Sequence, residues 1–140
     1  MIGMGRSSLA LANARIMDDY EFEKLNSDRI EFSLDYSKRW QASGISALVT
    51  PSFPTCTFRA QHADDMGLMC DYTWLWNILS YPAGTMPITQ VQDNEQTYDD
   101  SYNDGWSRLL RETARDSVGL PVSIQVVAHS YEDEKALAVM

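Results

Sequence analysis

Three lysines, two histidines, two cysteines and a short row of arginines carry most of the chemistry available to this chain. A lysine acts as a base only when a dry pocket holds it neutral. Lys24 and Lys38 fall on one stretch of helical periodicity and Lys135 on another, where a solvated surface charge is expected. His62 and His129 are far apart in the chain, and their spacing supports neither a metal centre nor an acid–base pair. Cys56 and Cys70 lie fourteen positions apart, form no CxxC, and read as reduced, partly buried thiols. Arg108, Arg111 and Arg115 recur at helical spacing and are the local exception to a net charge of −9. That acidic balance argues against a nucleic-acid partner, because phosphate backbones are bound by clustered Lys and Arg over a wide surface. Two tryptophans, Trp74 and Trp106, are large apolar rings of the kind that fill a core.

The elements that position these residues follow from the apolar pattern. The chain has 140 residues, 44% of them apolar and 22% charged, which suits one domain or part of one. A helix is predicted over 18–42, with Phe22, Leu25, Phe32, Tyr36 and Trp40 gathered on one face and Ser43-Gly44 as its stop. The run from Ile45 to Thr50 is long enough for one buried strand, ended by Pro51. Residues 51–66 have no period and read as a loop. The stretch 69–79 is apolar almost all round, so a helix there should be buried on most sides. Tyr81-Pro82-Ala83-Gly84 breaks it, and 86–91 reads as a second strand in which Pro87 points to an edge. An acidic connection over 93–104 enters a helix signalled by Tyr98, Tyr102, Trp106, Leu109 and Leu110. Gly119-Leu120-Pro121 closes that helix. Residues 122–127 form a third strand, and Ser130 is placed to cap a last helix. This alternation argues for an α/β layered sandwich with about three strands flanked by helices. Three strands cannot cover the apolar 69–79 helix, so a larger body is expected against it. The start of the chain lacks the apolar run of a signal peptide, and no stretch has the length of a membrane span.

Two segments carry a family resemblance. The first runs Tyr72-Thr73-Trp74-Leu75-Trp76-Asn77 and then Tyr81-Pro82-Ala83-Gly84-Thr85-Met86-Pro87-Ile88-Thr89. The second is Ser117-Val118-Gly119-Leu120-Pro121-Val122-Ser123-Ile124-Gln125-Val126-Val127. Both resemble the C-terminal region of amidase-signature enzymes, where a helix leads through Pro-Ala-Gly into a strand and a Gly-Leu-Pro-Val turn feeds the next. Trp40 through Leu48-Val49-Thr50-Pro51 is similar to the family's helix and "Leu-Thr-Pro" strand end. The insertion bearing Trp106 most resembles the fatty-acid amide hydrolase branch. About residues 20–140 are covered.

The resemblance implies the amidase-signature α/β fold, with residues 1–140 a single partial domain from its C-terminal part. It implies hydrolysis of a carboxylic amide with an apolar, fatty acyl group, with no metal or organic cofactor. Family members use a Ser–cis-Ser–Lys arrangement and an oxyanion hole of backbone N–H groups. The Gly/Ser-rich signature that carries the nucleophile is absent from this sequence. Gly3-Met4-Gly5-Arg6-Ser7-Ser8 is its nearest imitation, and it lacks the flanking glycines that let a backbone approach an oxyanion. No residue of the chain is therefore expected to be catalytic. The substrate-binding candidates are Trp74, matching a position that lines the acyl channel, and Trp106, matching a tryptophan that contacts the lipid chain. Residues 6–15 match the end of the branch's membrane-facing cap but carry small residues, which leaves room for only weak peripheral membrane contact. An intracellular protein is expected, with membrane association left open. The expected partner is the remainder of an amidase domain or another covering chain. The alternative from another class is a non-catalytic structural or interaction subunit that kept half of the fold.

Overall fold

A computed structural model describes residues 16–99 and 101–140. The first described element, α1, runs Asp19–Ser43. Asp18 caps it by accepting a 2.7 Å hydrogen bond from the Glu21 N–H, which satisfies one of the orphan donors of the first turn. Gly44 ends it in the left-handed region at φ 70°, a conformation that costs glycine nothing. Strand β1 follows over Ala47–Pro51.

The stretch predicted as a plain loop contains short helical pieces, a 3-10 turn at Ala60–His62 and helix α2 at Ala63–Met66, followed by a second 3-10 turn at Gly67–Met69. Helix α3 then runs Asp71–Leu79. It ends at Ser80, which takes the left-handed conformation at φ 56°, two residues before Pro82. Of the four residues expected to break the helix, Tyr81 and Pro82 lie between the elements, and Ala83 and Gly84 already begin the next strand. Strand β2 spans Ala83–Gln90 and so includes Ala83 and Gly84.

Helix α4 covers Gly105–Ala114. It starts later than the aromatic spacing suggested, because Asp104 accepts from the N–H groups of Trp106 and Ser107 at 2.8 and 2.9 Å and fixes the N-terminus there. Tyr98 and Tyr102 lie in the connection ahead of it and face solvent. The helix also ends before the Gly-Leu-Pro turn, which instead fastens the chain to β2. There the Gly119 N–H donates to the Val91 carbonyl, and the Val91 N–H to that of Leu120, both at 3.0 Å. Strand β3 spans Pro121–Ala128 and helix α5 Asp133–Val139. Ser130 does not cap α5: its N-cap is Glu132, with no side-chain cap bond.

The three strands form one antiparallel sheet in the order β1-β3-β2. The last strand in sequence is thus central in space, and its Gln125, Val126, Val127 and Ala128 are buried. Pro87 sits on β2, an edge of this sheet, where the pairing with β3 slips between Pro87 and Thr89. That is the position at which a missing N–H does least harm.

Two apolar clusters hold the layers together. Trp40, Trp76, Leu79, Tyr81 and Val127 join α1 and α3 to the sheet, with Tyr36, Leu48 and Leu75 packed around them. Met66, Leu109 and Leu110 form the second, with Phe53, Met69 and Trp106 against it. Of the face predicted to bury α1, only Trp40 is buried; Phe22, Leu25 and Phe32 are exposed. Likewise α3 buries Trp76 and Leu79 but leaves Tyr72, Trp74 and Ile78 exposed. The apolar pattern marks faces that ask for cover, and the described residues supply it to only part of each.

Candidate functional site

The exposed halves of those two helices meet in a groove of about 550 Å³ lined by Phe22, Leu25, Asn26, Asp28, Arg29, Phe32 and Ile78. Helical spacing explains the lining. Residues 22, 25, 29 and 32 recur at three and four, which stacks them along one stripe of α1. Arg29 joins the two helices. Its Nη1 donates to the Ile78 carbonyl at 3.2 Å, and its Nε and Nη2 donate to Asn26 Oδ1 at 3.3 Å. The guanidinium thereby satisfies a carbonyl at the C-terminal end of α3, the negative end of that helix. With its polar edge tied down in this way, the groove presents Phe22, Leu25, Phe32 and Ile78. It is a surface for an apolar ligand or an apolar side of another element.

Trp74 is four residues before Ile78 on α3, so the two share a helix face, and 46% of the Trp74 surface is accessible. It stands one turn along from the groove. Trp106 belongs to different surroundings: it is half-buried and packs against the Met66, Leu109 and Leu110 cluster. The two tryptophans therefore lie in separate apolar groups. Trp76, on the same helix as Trp74, is a core residue. Tyr72, on the stretch expected to be buried on most sides, is exposed.

The lysines hold no base site. Lys24 and Lys38 are exposed, and Lys135 Nζ pairs with Glu132 at 2.6 Å. Ser7 and Ser8, with the whole stretch 6–15, lie outside the described residues. Cys56 and Cys70 are free thiols of intermediate exposure.

One juxtaposition escaped sequence reasoning. Ser37 Oγ lies 2.7 Å from His129 Nε2, across 92 residues, and the imidazole is flanked by Tyr81 and Trp40 at ring-centre distances of 5.1 and 6.4 Å. Only the packing of α1 on the end of β3 brings them together. The pair has the spacing of a nucleophile and its base, but the surroundings are wrong for acyl transfer. Ser37 is in the interior of a 25-residue helix, where backbone N–H groups are consumed by the helix and none is left to hold an oxyanion. Among the described residues no carboxylate is hydrogen-bonded to the other ring nitrogen to orient the imidazole. The pair is better described as a polar clasp between α1 and β3.

The described residues thus form a layered α/β piece with an antiparallel sheet and an apolar groove between two helices. Comparison with known proteins gives the class: the family model for amidases matches residues 4–137, and the chain belongs to the amidase family. Fatty-acid amide hydrolase 1 of Sus scrofa is 29% identical over 106 residues, covering 73% of this chain and 18% of its own length. A Schizosaccharomyces pombe protein named as an amidase (C550.07) is 31% identical over 121 residues, covering 84% of this chain and 22% of its own. A solved fatty acid amide hydrolase superposes with a TM-score of 0.65 at 24% identity, over 89% of this chain and 23% of that one. The fold is thus the one found in that hydrolase. The chain spans less than a quarter of the length of each of these proteins. Among the described residues no helix is long and apolar enough to cross a membrane.

Proposed function

We propose that this chain forms part of an amide hydrolase acting on carboxylic amides with an apolar acyl group, and that it supplies substrate-channel wall rather than the Ser–Ser–Lys machinery. The observation that carries this reading is the exposure of Trp74 beside the Phe22, Leu25, Phe32 and Ile78 groove. A large aromatic ring on an otherwise apolar helix is left facing outward, at the edge of a groove suited to methylene chains. Trp106 is the second wall residue of this reading, reached from the α4 side. Family membership and the names of the relatives support the reaction type.

The test uses the complete protein with amides of long and short acyl chains. Burying each methylene is worth about 0.8 kcal/mol, so losing cover over two of them lowers kcat/KM roughly tenfold. Trp74→Ala is expected to lower kcat/KM about tenfold for the long chain and little for the short one. Equal losses on both substrates would mean that Trp74 only supports the fold, and no loss on either would remove it from the channel. The chain by itself is expected not to react with a serine-directed fluorophosphonate. Labelling that vanishes in Ser7→Ala, Ser8→Ala or Ser37→Ala would overturn the assignment of catalysis elsewhere.

The exposed apolar face also favours a second reading, a non-catalytic subunit covered by another chain. The acyl-length experiment separates the two, because a purely structural subunit gives no dependence on substrate length at Trp74.

A further inference from the structure

The cleft along the C-terminal half of α4 differs from the rest of this acidic chain. It encloses about 490 Å³ and is lined by Arg59, Arg108, Arg111, Glu112, Arg115 and Asp116. Four of the chain's eight arginines meet there, although the net charge is −9. Among the described residues that line it, four guanidinium groups stand against two carboxylates, a surplus of +2, and outside that lining the exposed Asp99 carboxylate feels the charge of Arg111. Arg108 and Arg111, three apart, are neighbours on α4, and Arg115 follows as its extended C-cap. Arg59 arrives from a different segment, the residue that precedes the Ala60–His62 turn.

The helix dipole explains a cation or two in the last turn of α4. It does not explain a fourth arginine brought across from another segment, since like charges gathered in one concavity repel. Nor do the carboxylates neutralise the group closely. Asp116 is 3.7 Å from Arg59 with 88% of its side chain exposed, and Glu112 turns to His62, with Oε1 3.3 Å from Nε2. The close bonds of the arginines go to neutral carbonyls. Arg111 Nη1 donates to Asp99 O at 3.1 Å and Tyr102 O at 3.0 Å, and Arg108 Nε donates to Asp104 O at 3.3 Å. Such bonds fix a guanidinium in place and leave its charge intact. Each arginine has five N–H donors, so most remain available to a ligand.

We propose that this cleft binds a compact oxyanion of the phosphate class. A carboxylate offers two oxygens and one charge. A phosphoryl group offers three or more strong acceptors and a charge of about −1.5 to −2 near neutral pH. It therefore matches both the several planar forks and the surplus of +2, and arginine forks bind phosphate in pairs of parallel bonds. The phosphoryl group belongs either to a small soluble molecule or to an anionic lipid headgroup, and the two sources are separable by experiment.

The full-length protein is titrated calorimetrically with inorganic phosphate at constant ionic strength, with chloride as the reference anion. In parallel, co-sedimentation is measured with phosphatidylcholine vesicles with and without phosphatidic acid. Phosphate binding above the chloride background is expected, weakened at least tenfold in Arg59→Gln/Arg115→Gln. Neither residue makes a bond to the main chain that holds α4, so the unfolding midpoint should stay near the parent's. If the double variant fails to fold, Arg59→Gln alone reads the same loss at about threefold. Binding only to phosphatidic acid vesicles, lost in the same variants, supports the cleft with a headgroup as its ligand. Absence of both responses, or responses indifferent to the substitutions, overturns the proposal.

Discussion

Tyr81 lies in the aromatic core with its ring edge-on to Trp40 at 5.5 Å and only 7% of its surface accessible. Burial pushes its phenol pKa above the ordinary value of 10.0, and nearby Ser37 tempers the shift. Ser37 is itself hydrogen-bonded to His129, and the Tyr81 hydroxyl has no well-formed partner among the described residues. A buried, unpaired hydroxyl costs free energy that a phenyl ring would not. Tyr81→Phe is therefore expected to leave stability unchanged or raise it by up to about 1 kcal/mol at pH 7, measured by urea unfolding. The sign with pH follows from the raised pKa. The neutral phenol is favoured in the folded state, so its contribution is fully present below the unfolded pKa and is lost as pH rises through the higher native one. The Phe variant should thus lose less stability than the parent between pH 9 and pH 11. A clear loss of stability at pH 7 would mean that the hydroxyl is paired after all. No property of Tyr81 in the sequence announced this environment, because the enclosing residues come from α1, α3 and β3.

Helix α3 shows how junctions between elements are made. Its end is fixed by Ser80 at φ 56°, where the Ser80 N–H reaches the carbonyls of Asn77 and Trp76. A residue with a Cβ is strained there, and glycine is not. Ser80→Gly is expected to stabilise the chain by about 0.5–1 kcal/mol, read as a higher denaturant midpoint. A lower midpoint would show that the serine side chain has a role that outweighs the strain. The far side of the same helix is tied to the sheet by Gln125, which is 2% exposed on β3. Its amide nitrogen donates to Thr50 Oγ1 at 2.9 Å, to the Pro51 carbonyl at 3.3 Å and to the Tyr72 carbonyl. One side chain thus serves β1, β3 and α3 together. Gln125→Ala should cost about 1–3 kcal/mol by orphaning these acceptors, with earlier hydrogen exchange at the start of α3. An unchanged exchange pattern would remove Gln125 as the tie. The existence of each strand was legible, because runs such as Val122–Val127 and Ala47–Thr50 are rich in β-branched and apolar residues. The boundaries were less so. Pro82 looked like the helix breaker and Tyr98 and Tyr102 like helix, whereas the decisive features are a left-handed serine and the Asp104 cap.

At the scale of the whole molecule, the described residues leave an apolar stripe uncovered. Phe22, Leu25, Trp74 and Ile78 expose 60%, 53%, 46% and 46% of their surfaces. Apolar patches of that kind on a lone chain associate. Sedimentation velocity of the purified chain should show concentration-dependent self-association, reduced in Phe22→Asp/Leu25→Asp. A stable monomer at all concentrations with a single sharp unfolding transition would argue against both the covering domain and the partner-chain reading.

By itself the sequence determined the class of the protein and the order of its elements. Helical and strand periodicities are local properties, and the Pro-Ala-Gly and Gly-Leu-Pro-Val junctions are short enough to be read directly. It also marked Trp74 and Trp106 as apolar wall or core without deciding which. The tertiary structure decided that Trp74 faces outward beside a groove while Trp106 packs into the second cluster. It also paired Ser37 with His129 and carried Arg59 across to the arginines of α4. The physical reason is common to all three. Burial and charge depend on what stands opposite a residue, and here opposing groups arrive from segments roughly 40 or more residues away along the chain, a separation no local pattern encodes.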